Sequence, residues 1–222
     1  MTKKIALWWR NLTKTQKLWT AGAPLLILLL GLIAGDTPIN LLIGVIGMFY
    51  VCVYGVGNTK WAFILGTIYV SLYTIVCLQN RIMLDALQNV VLIPIYIASF
   101  IKWGKENVSP KNLNKKDTIL LFVSFPLMIL LLYLISVLLK GNYSLLDSIN
   151  TTCTLYAMLL GYYGLSINWA FWTVNNVVSA IIFGLALLTP TGSIAVFGMK
   201  LIFFFNGLIG WYTWYKMGKD KN

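Results

Sequence analysis

Histidine is missing from this chain and acid is scarce: six Asp and Glu residues stand against 17 Lys and Arg in 222 residues. Without imidazole, the commonest general base and metal ligand is gone. The carboxylates Asp36, Asp85, Glu106, Asp117, Asp147 and Asp220 all fall at or near the ends of apolar runs, so no buried acid pair is expected for hydrolysis or proton relay. Cys52, Cys77 and Cys153 lie far apart in apolar segments and form no C-x-x-C pair, which leaves them as small buried hydrophobes. Neither G-x-x-x-x-G-K-[ST] nor H-E-x-x-H occurs, so ATP-driven pumping and zinc hydrolysis lack their signatures. An intramembrane enzyme, an ion channel and a proton-coupled carrier are accordingly the weaker classes, and no cofactor or metal is expected.

What the chain has in abundance is apolar length. It is 59% hydrophobic and 10% charged, with a mean hydropathy of +0.80, where a soluble domain carries roughly a quarter of its residues charged. The net charge of +11 would suggest nucleic acid in a soluble protein; here it fits the bias of Lys and Arg toward cytoplasmic loops, and no nucleic-acid partner is expected. Eight apolar stretches, near 19–35, 39–57, 61–79, 84–102, 118–139, 145–165, 169–188 and 194–215, are each about long enough to cross a bilayer. Connections as short as GNTK (57–60) and SIN (166–168) make neighbouring helices antiparallel. With the N-terminus inside, the inner segments hold Lys3, Lys4, Arg10, Lys14, Lys17, Lys60, Lys102, Lys105, Lys111, Lys115, Lys116, Lys216, Lys219 and Lys221, and the outer loops only Arg81 and Lys140. Both termini are therefore expected to be cytoplasmic, with no cleavable leader. Residues 3–19, KKIALWWRNLTKTQKLW, mix cations with Trp8, Trp9 and Trp19, as an amphipathic anchor on an anionic leaflet does.

A weak repeat runs through the spans. WAF at 61–63 returns at 169–171, and at the same spacing Tyr54 matches Tyr162 and Ser71 matches Ser179. WGK at 103–105 is similar to the KMGK ending at Lys219. A three-helix unit ends on the side opposite its start, so a single extra helix between two such units lets both run parallel. The expected organisation is an all-α membrane protein of one transporter domain, 1–222: a basic stretch and extra helix (1–38), a three-helix repeat (39–105), a linking helix (118–139) and a second three-helix repeat (147–219). Transporters built on parallel repeats place their sites near midplane at the repeat interface.

Residues 168–179, NWAFWTVNNVVS, carry the most informative pattern. On a helix Trp169, Trp172, Asn176 and Ser179 step by three, four and three and share one face. Two readings compete: plain packing with helix–helix hydrogen bonds, or a cradle in which the indoles hold a flat ring and the amide and hydroxyl read its polar groups. At the equivalent positions the first half has Ile64 and Ile68, so only one half carries the stripe. Asn206, followed by Gly207 and Gly210, is a second candidate, with Gln88 and Asn89 a short way into the fourth span. Tyr54, Tyr69, Tyr73 and Tyr162 are candidates to line the path, Tyr73 among the site residues. Trp211 and Trp214 lie off the Asn206 face as interfacial anchors. Lys200, two turns from the outer end, is expected to snorkel to the surface. Pro94 is mid-span and removes a helix hydrogen bond, while Pro190 ends the seventh span.

The 3+1+3 pattern with W-x-x-W-x-x-x-N-x-x-S resembles the PnuC family of vitamin transporters over about 39–219, most specifically at NWAFWTVNNVVS and at FNGLIGWYTW (205–214). The resemblance implies three-helix bundles like those of the SWEET sugar facilitators, a homotrimer with one path per protomer, and multi-pass residence in the bacterial inner (cell) membrane. It also implies facilitated diffusion of nicotinamide riboside, with deoxyribonucleosides or thiamine as alternatives, trapped by a cytoplasmic kinase. Under it, Trp169 and Trp172 would stack the pyridinium and Asn176 and Ser179 would read amide or hydroxyl groups.

Overall fold

The computed structural model describes residues 9–10, 12–55, 59–103 and 113–219. Most of the basic N-terminal stretch, and the cap expected around WGK, lie outside them. Eight helices follow: α1 (Lys14–Ile33), α2 (Pro38–Gly55), α3 (Thr59–Gln79), α4 (Met83–Trp103), α5 (Lys115–Leu138), α6 (Ser144–Tyr162), α7 (Asn168–Ala186) and α8 (Ile194–Lys219). Local chemistry sets their ends. Thr13 and Gln16 form a capping box at α1, and Asn114 caps α5 through the Asp117 N–H. The chain leaves α1, α3 and α5 through left-handed residues Gly35, Arg81 and Lys140. In each case the next N–H reaches back to a carbonyl of the last turn: Asp36 to Gly31, Ile82 to Cys77, Gly141 to Ser136.

Side-by-side packing closes six helices into a ring in the order α2, α3, α4, α6, α7, α8 and back to α2. Outside the ring, α1 packs on α2 and α8, and α5 on α6 and, more lightly, α4. The two outer helices thus hold matching places, so α1, expected to stand apart, has a counterpart in α5. The turns 34–37, 80–82, 139–143 and 187–193 gather at one end of the bundle, called the turn end below. They are tied together there: Asp36 accepts from the Ala195 N–H and Ser193 Oγ, Thr191 donates to Asn80, and Asn142 bonds the carbonyls of Asn80 and Arg81.

Among the described residues α1, α3, α5, α7 and α8 are long and apolar enough to cross a membrane. In α2 and α4 the apolar stretches are shorter, Pro38–Tyr54 and Met83–Ala98. Apolar residues such as Phe122, Leu127 and Leu138 of α5 face outward to lipid. In α6 the inward face is polar instead, with Asp147, Ser148, Asn150, Thr151, Thr152 and Thr154 all buried. A helix facing a polar interior needs apolar residues only on its lipid side, which lowers its average hydropathy.

The burial phases of α3 and α7 depart from the register that WAF suggests. Asn168, Trp169, Asn175, Asn176, Ser179, Ile182 and Phe183 are among the residues buried on α7; on α3 the buried residues include Ala62, Phe63, Tyr69, Val70, Tyr73, Val76 and Cys77. Matched in order, Trp169 pairs with Phe63 and Asn176 with Val70, two residues away from the WAF register. Ile64 and Ile68, taken as the equivalents of Trp172 and Asn176, point outward instead, 37% and 45% exposed.

Candidate functional site

The ring encloses a cavity to which all six of its helices contribute and, among the described residues, neither α1 nor α5 does. Together with the open space at its mouth it encompasses about 660 Å³. Reckoned at a helix rise of about 1.5 Å per residue, the lining falls into layers along the bundle axis. Nearest the turn end are Asp85, Gln88, Asn89, Asn150, Tyr73 and Lys200; next come Tyr50, Tyr69, Tyr96, Thr154, Asn175, Asn176, Phe203, Asn206 and Gly207; deepest are Tyr54, Trp169 and Trp172.

Of the eight residues singled out from the sequence, Trp169, Trp172, Asn176, Asn206, Gln88, Asn89 and Tyr73 line this cavity. Ser179 does not: its hydroxyl donates to Asn150 Oδ1 at 2.7 Å, behind the lining. The two indoles differ. Trp169 is 3% exposed, tilted against Tyr54 at 5.7 Å between centroids and seated against Gly210, where a Cβ would collide with its ring. Trp172 is only half-buried and is the more available face. The Asn176 amide nitrogen donates to the Phe203 carbonyl at 3.0 Å, which leaves its oxygen for a ligand. Both amide atoms of Asn206 are occupied: Oδ1 accepts from Trp19 Nε1 and Nδ2 donates to the Val51 carbonyl, each at 3.1 Å. Trp19, expected as a surface anchor, is thereby a strut from α1 to the cavity wall.

Three further expectations fail. Lys200 does not snorkel outward. It is 6% exposed and turns into the cavity, with Nζ over the Tyr73 ring at 4.1 Å from its centroid and 3.4 Å from Tyr69 OH. Aromatic faces and a phenol hold the ammonium where snorkelling would need a clear lipid-side route. Asp85 and Asp147 are buried, 2% and 0% exposed, although span ends suggested water. They lie close together because the N-termini of α4 and α6 meet: the Asp147 carboxylate accepts the Leu84 and Asp85 N–H groups at 2.9 and 3.1 Å. Asp85 in turn accepts from Tyr73 OH at 2.9 Å, from the Gln88 amide and from Cys77. Finally, Tyr162 is absent from the lining, while Tyr54 and Tyr69 belong to it.

Other lining residues escaped the sequence reading. Asn175 donates to Asn150 Oδ1 at 2.7 Å and Thr154 Oγ1 at 2.6 Å, knitting α7 to α6. Tyr50 and Tyr96 share a 2.9 Å hydroxyl bond across the ring, and Tyr50, Tyr69 and Tyr73 form a stacked series. The signal available for these was helical phase: Tyr50 lies four residues before Tyr54, and Asn150 four before Thr154.

A flat-walled aromatic floor beneath a polar and charged roof suits a ligand with a planar ring at one end and hydrogen-bonding groups at the other. Comparisons with known proteins agree in kind. The family model described as nicotinamide mononucleotide transporter matches residues 37–216. Among solved structures, a crystal structure of the vitamin B3 transporter PnuC is similar at a TM-score of 0.83 and 19% sequence identity, covering 96% of this chain and 95% of that one. No curated protein matches this sequence.

Proposed function

The chain belongs to the nicotinamide mononucleotide transporter family, a multi-pass membrane transporter and not an enzyme, and from that membership we propose that it carries a nucleoside-like vitamin, nicotinamide riboside, into the cell. The observation that supports this most directly is the cavity that places Trp169 and Trp172 at one end and Gln88, Asn89 and Lys200 at the other. The pyridinium ring stacks on the exposed face of Trp172, the Asn176 oxygen meets its carboxamide, and the ribose lies toward the polar layer. Indole faces attract a cationic ring by about 0.5–2 kcal/mol.

The mode of transport is facilitated diffusion in the inner membrane of a bacterium, both termini cytoplasmic, with a cytoplasmic kinase trapping the product and three copies assembling side by side. Buried acid alone does not argue for proton coupling. Asp85 has three fixed donors and Asp147 two backbone donors, an arrangement that holds a carboxylate in place. One observation favours a second reading: the ammonium of Lys200 in the cavity disfavours a cationic ligand and suits neutral deoxyribonucleosides. Uptake of labelled nicotinamide riboside, thymidine and thiamine into proteoliposomes, with no imposed gradient, tests these readings. Equilibration of nicotinamide riboside without ATP, sodium or a proton gradient is the expected result, and Trp172→Ala should weaken its binding by about 1–3 kcal/mol, the range for stacked bases. Undiminished affinity in well-assembled Trp172→Ala protein would defeat the stacking arrangement.

A further inference from the structure

Two groups facing the cavity near the turn end have hydrogen-bonding capacity to spare. The Gln88 carboxamide oxygen is buried and accepts no hydrogen bond, although its nitrogen is engaged by Asp85. Lys200 is an ammonium with three donors; among the described residues its one hydrogen bond is the 3.4 Å contact to Tyr69 OH, and no carboxylate lies within ion-pair distance. Both side chains are 6% exposed, and both line the same space. Unmet polar groups at this burial cost free energy unless something supplies the missing partners.

Their positions define what that partner must be. Gln88 lies five residues into α4 and Lys200 six into α8, and both helices begin at the turn end, so the two stand in one layer. Trp172 lies fourteen residues from the end of α7 at that same face, which puts the Cα atoms of Lys200 and Trp172 roughly 12 Å apart along the axis at about 1.5 Å per residue. A molecule with a planar ring at one end and hydrogen-bonding groups at the other can reach from one layer to the other. We infer that Lys200 and Gln88 form a donor–acceptor subsite for the sugar hydroxyls of the ligand, Lys200 donating to a hydroxyl oxygen and Gln88 accepting a hydroxyl proton. A hydroxyl satisfies both at once, because it donates and accepts. The charge of Lys200 also fixes ligand direction, since a ring cation placed against it is repelled and a ring cation at the indoles is not.

This subsite rests on the nucleoside reading above, and the test separates the two. Competition binding on the purified full-length protein uses two nucleosides, nicotinamide riboside and thymidine, and their bases, nicotinamide and thymine. Lys200→Met should weaken the nucleosides that the wild type binds by about tenfold or more and leave the bases nearly unchanged. Lys200→Arg should retain much of the difference. Gln88→Met should show the same selective loss, and it serves as the test if Lys200→Met does not assemble. Equal losses for nucleoside and base, or wild-type nucleoside affinity in Gln88→Met or assembled Lys200→Met protein, would overturn the subsite while leaving the transport function standing. If the wild type binds none of the four compounds, the nucleoside reading itself fails and the subsite falls with it.

Discussion

Replacing Asp147 with alanine removes one carboxylate from α6 and strands two N–H groups on α4. The first N–H groups of any helix have no partner within it. Here those of Leu84 and Asp85 are served across the helix boundary by Asp147 Oδ2 and Oδ1, at 2.9 and 3.1 Å, from a residue with no exposed surface. Each hydrogen bond to a charged group contributes about 1.5–3 kcal/mol, and a negative charge at a helix N-terminus adds about 0.3–2 kcal/mol. The mutation also relieves the cost of burying the carboxylate, which offsets part of the loss. A net loss of about 3 kcal/mol follows, and at about 2–4 °C per kcal/mol for a chain of this size the melting temperature should fall by about 6–12 °C. Asp147→Asn keeps one acceptor oxygen and should lose about half as much. Thermal unfolding of the purified protein in detergent, followed by intrinsic tryptophan fluorescence, measures both. An Asp147→Ala protein melting within about 2 °C of wild type would refute the idea that this carboxylate joins α4 to α6.

Asn206→Leu should act through stability and not through ligand reading, because both of its amide atoms already have protein partners; a double-mutant cycle with Trp19→Phe should show coupling of about 1 kcal/mol in unfolding free energy, and loss of affinity with unchanged melting would contradict it. Gly210→Ala places a methyl group against the Trp169 ring and should displace that indole at a cost of about 1–3 kcal/mol, seen as weaker nicotinamide riboside binding. Gly22→Ala, whose new Cβ meets nothing nearer than Leu18 at 3.9 Å, should bind as wild type does.

The membrane class, the helical spans and most of the cavity's indole and amide lining were legible in the residues alone, because these depend on properties that neighbouring residues share. Apolar length marks a span, and spacing along one helix marks a face, so Trp169, Trp172 and Asn176 could be read together. The same logic misplaced Lys200, Asp85 and Asp147. A charge near the end of a span can reach water or can turn inward, and only the partners brought by other helices decide which. Tyr69 and Tyr73 from α3 hold Lys200 inside, and the N-terminus of α4 draws in the carboxylate of Asp147 on α6. The repeat register was open for a related reason: identities among apolar residues carry little phase, whereas burial against a ring of neighbours fixes phase to the residue. Ring closure itself, with α2 against α8 and α4 against α6, joins segments far apart in the chain, and no local pattern encodes which distant faces meet.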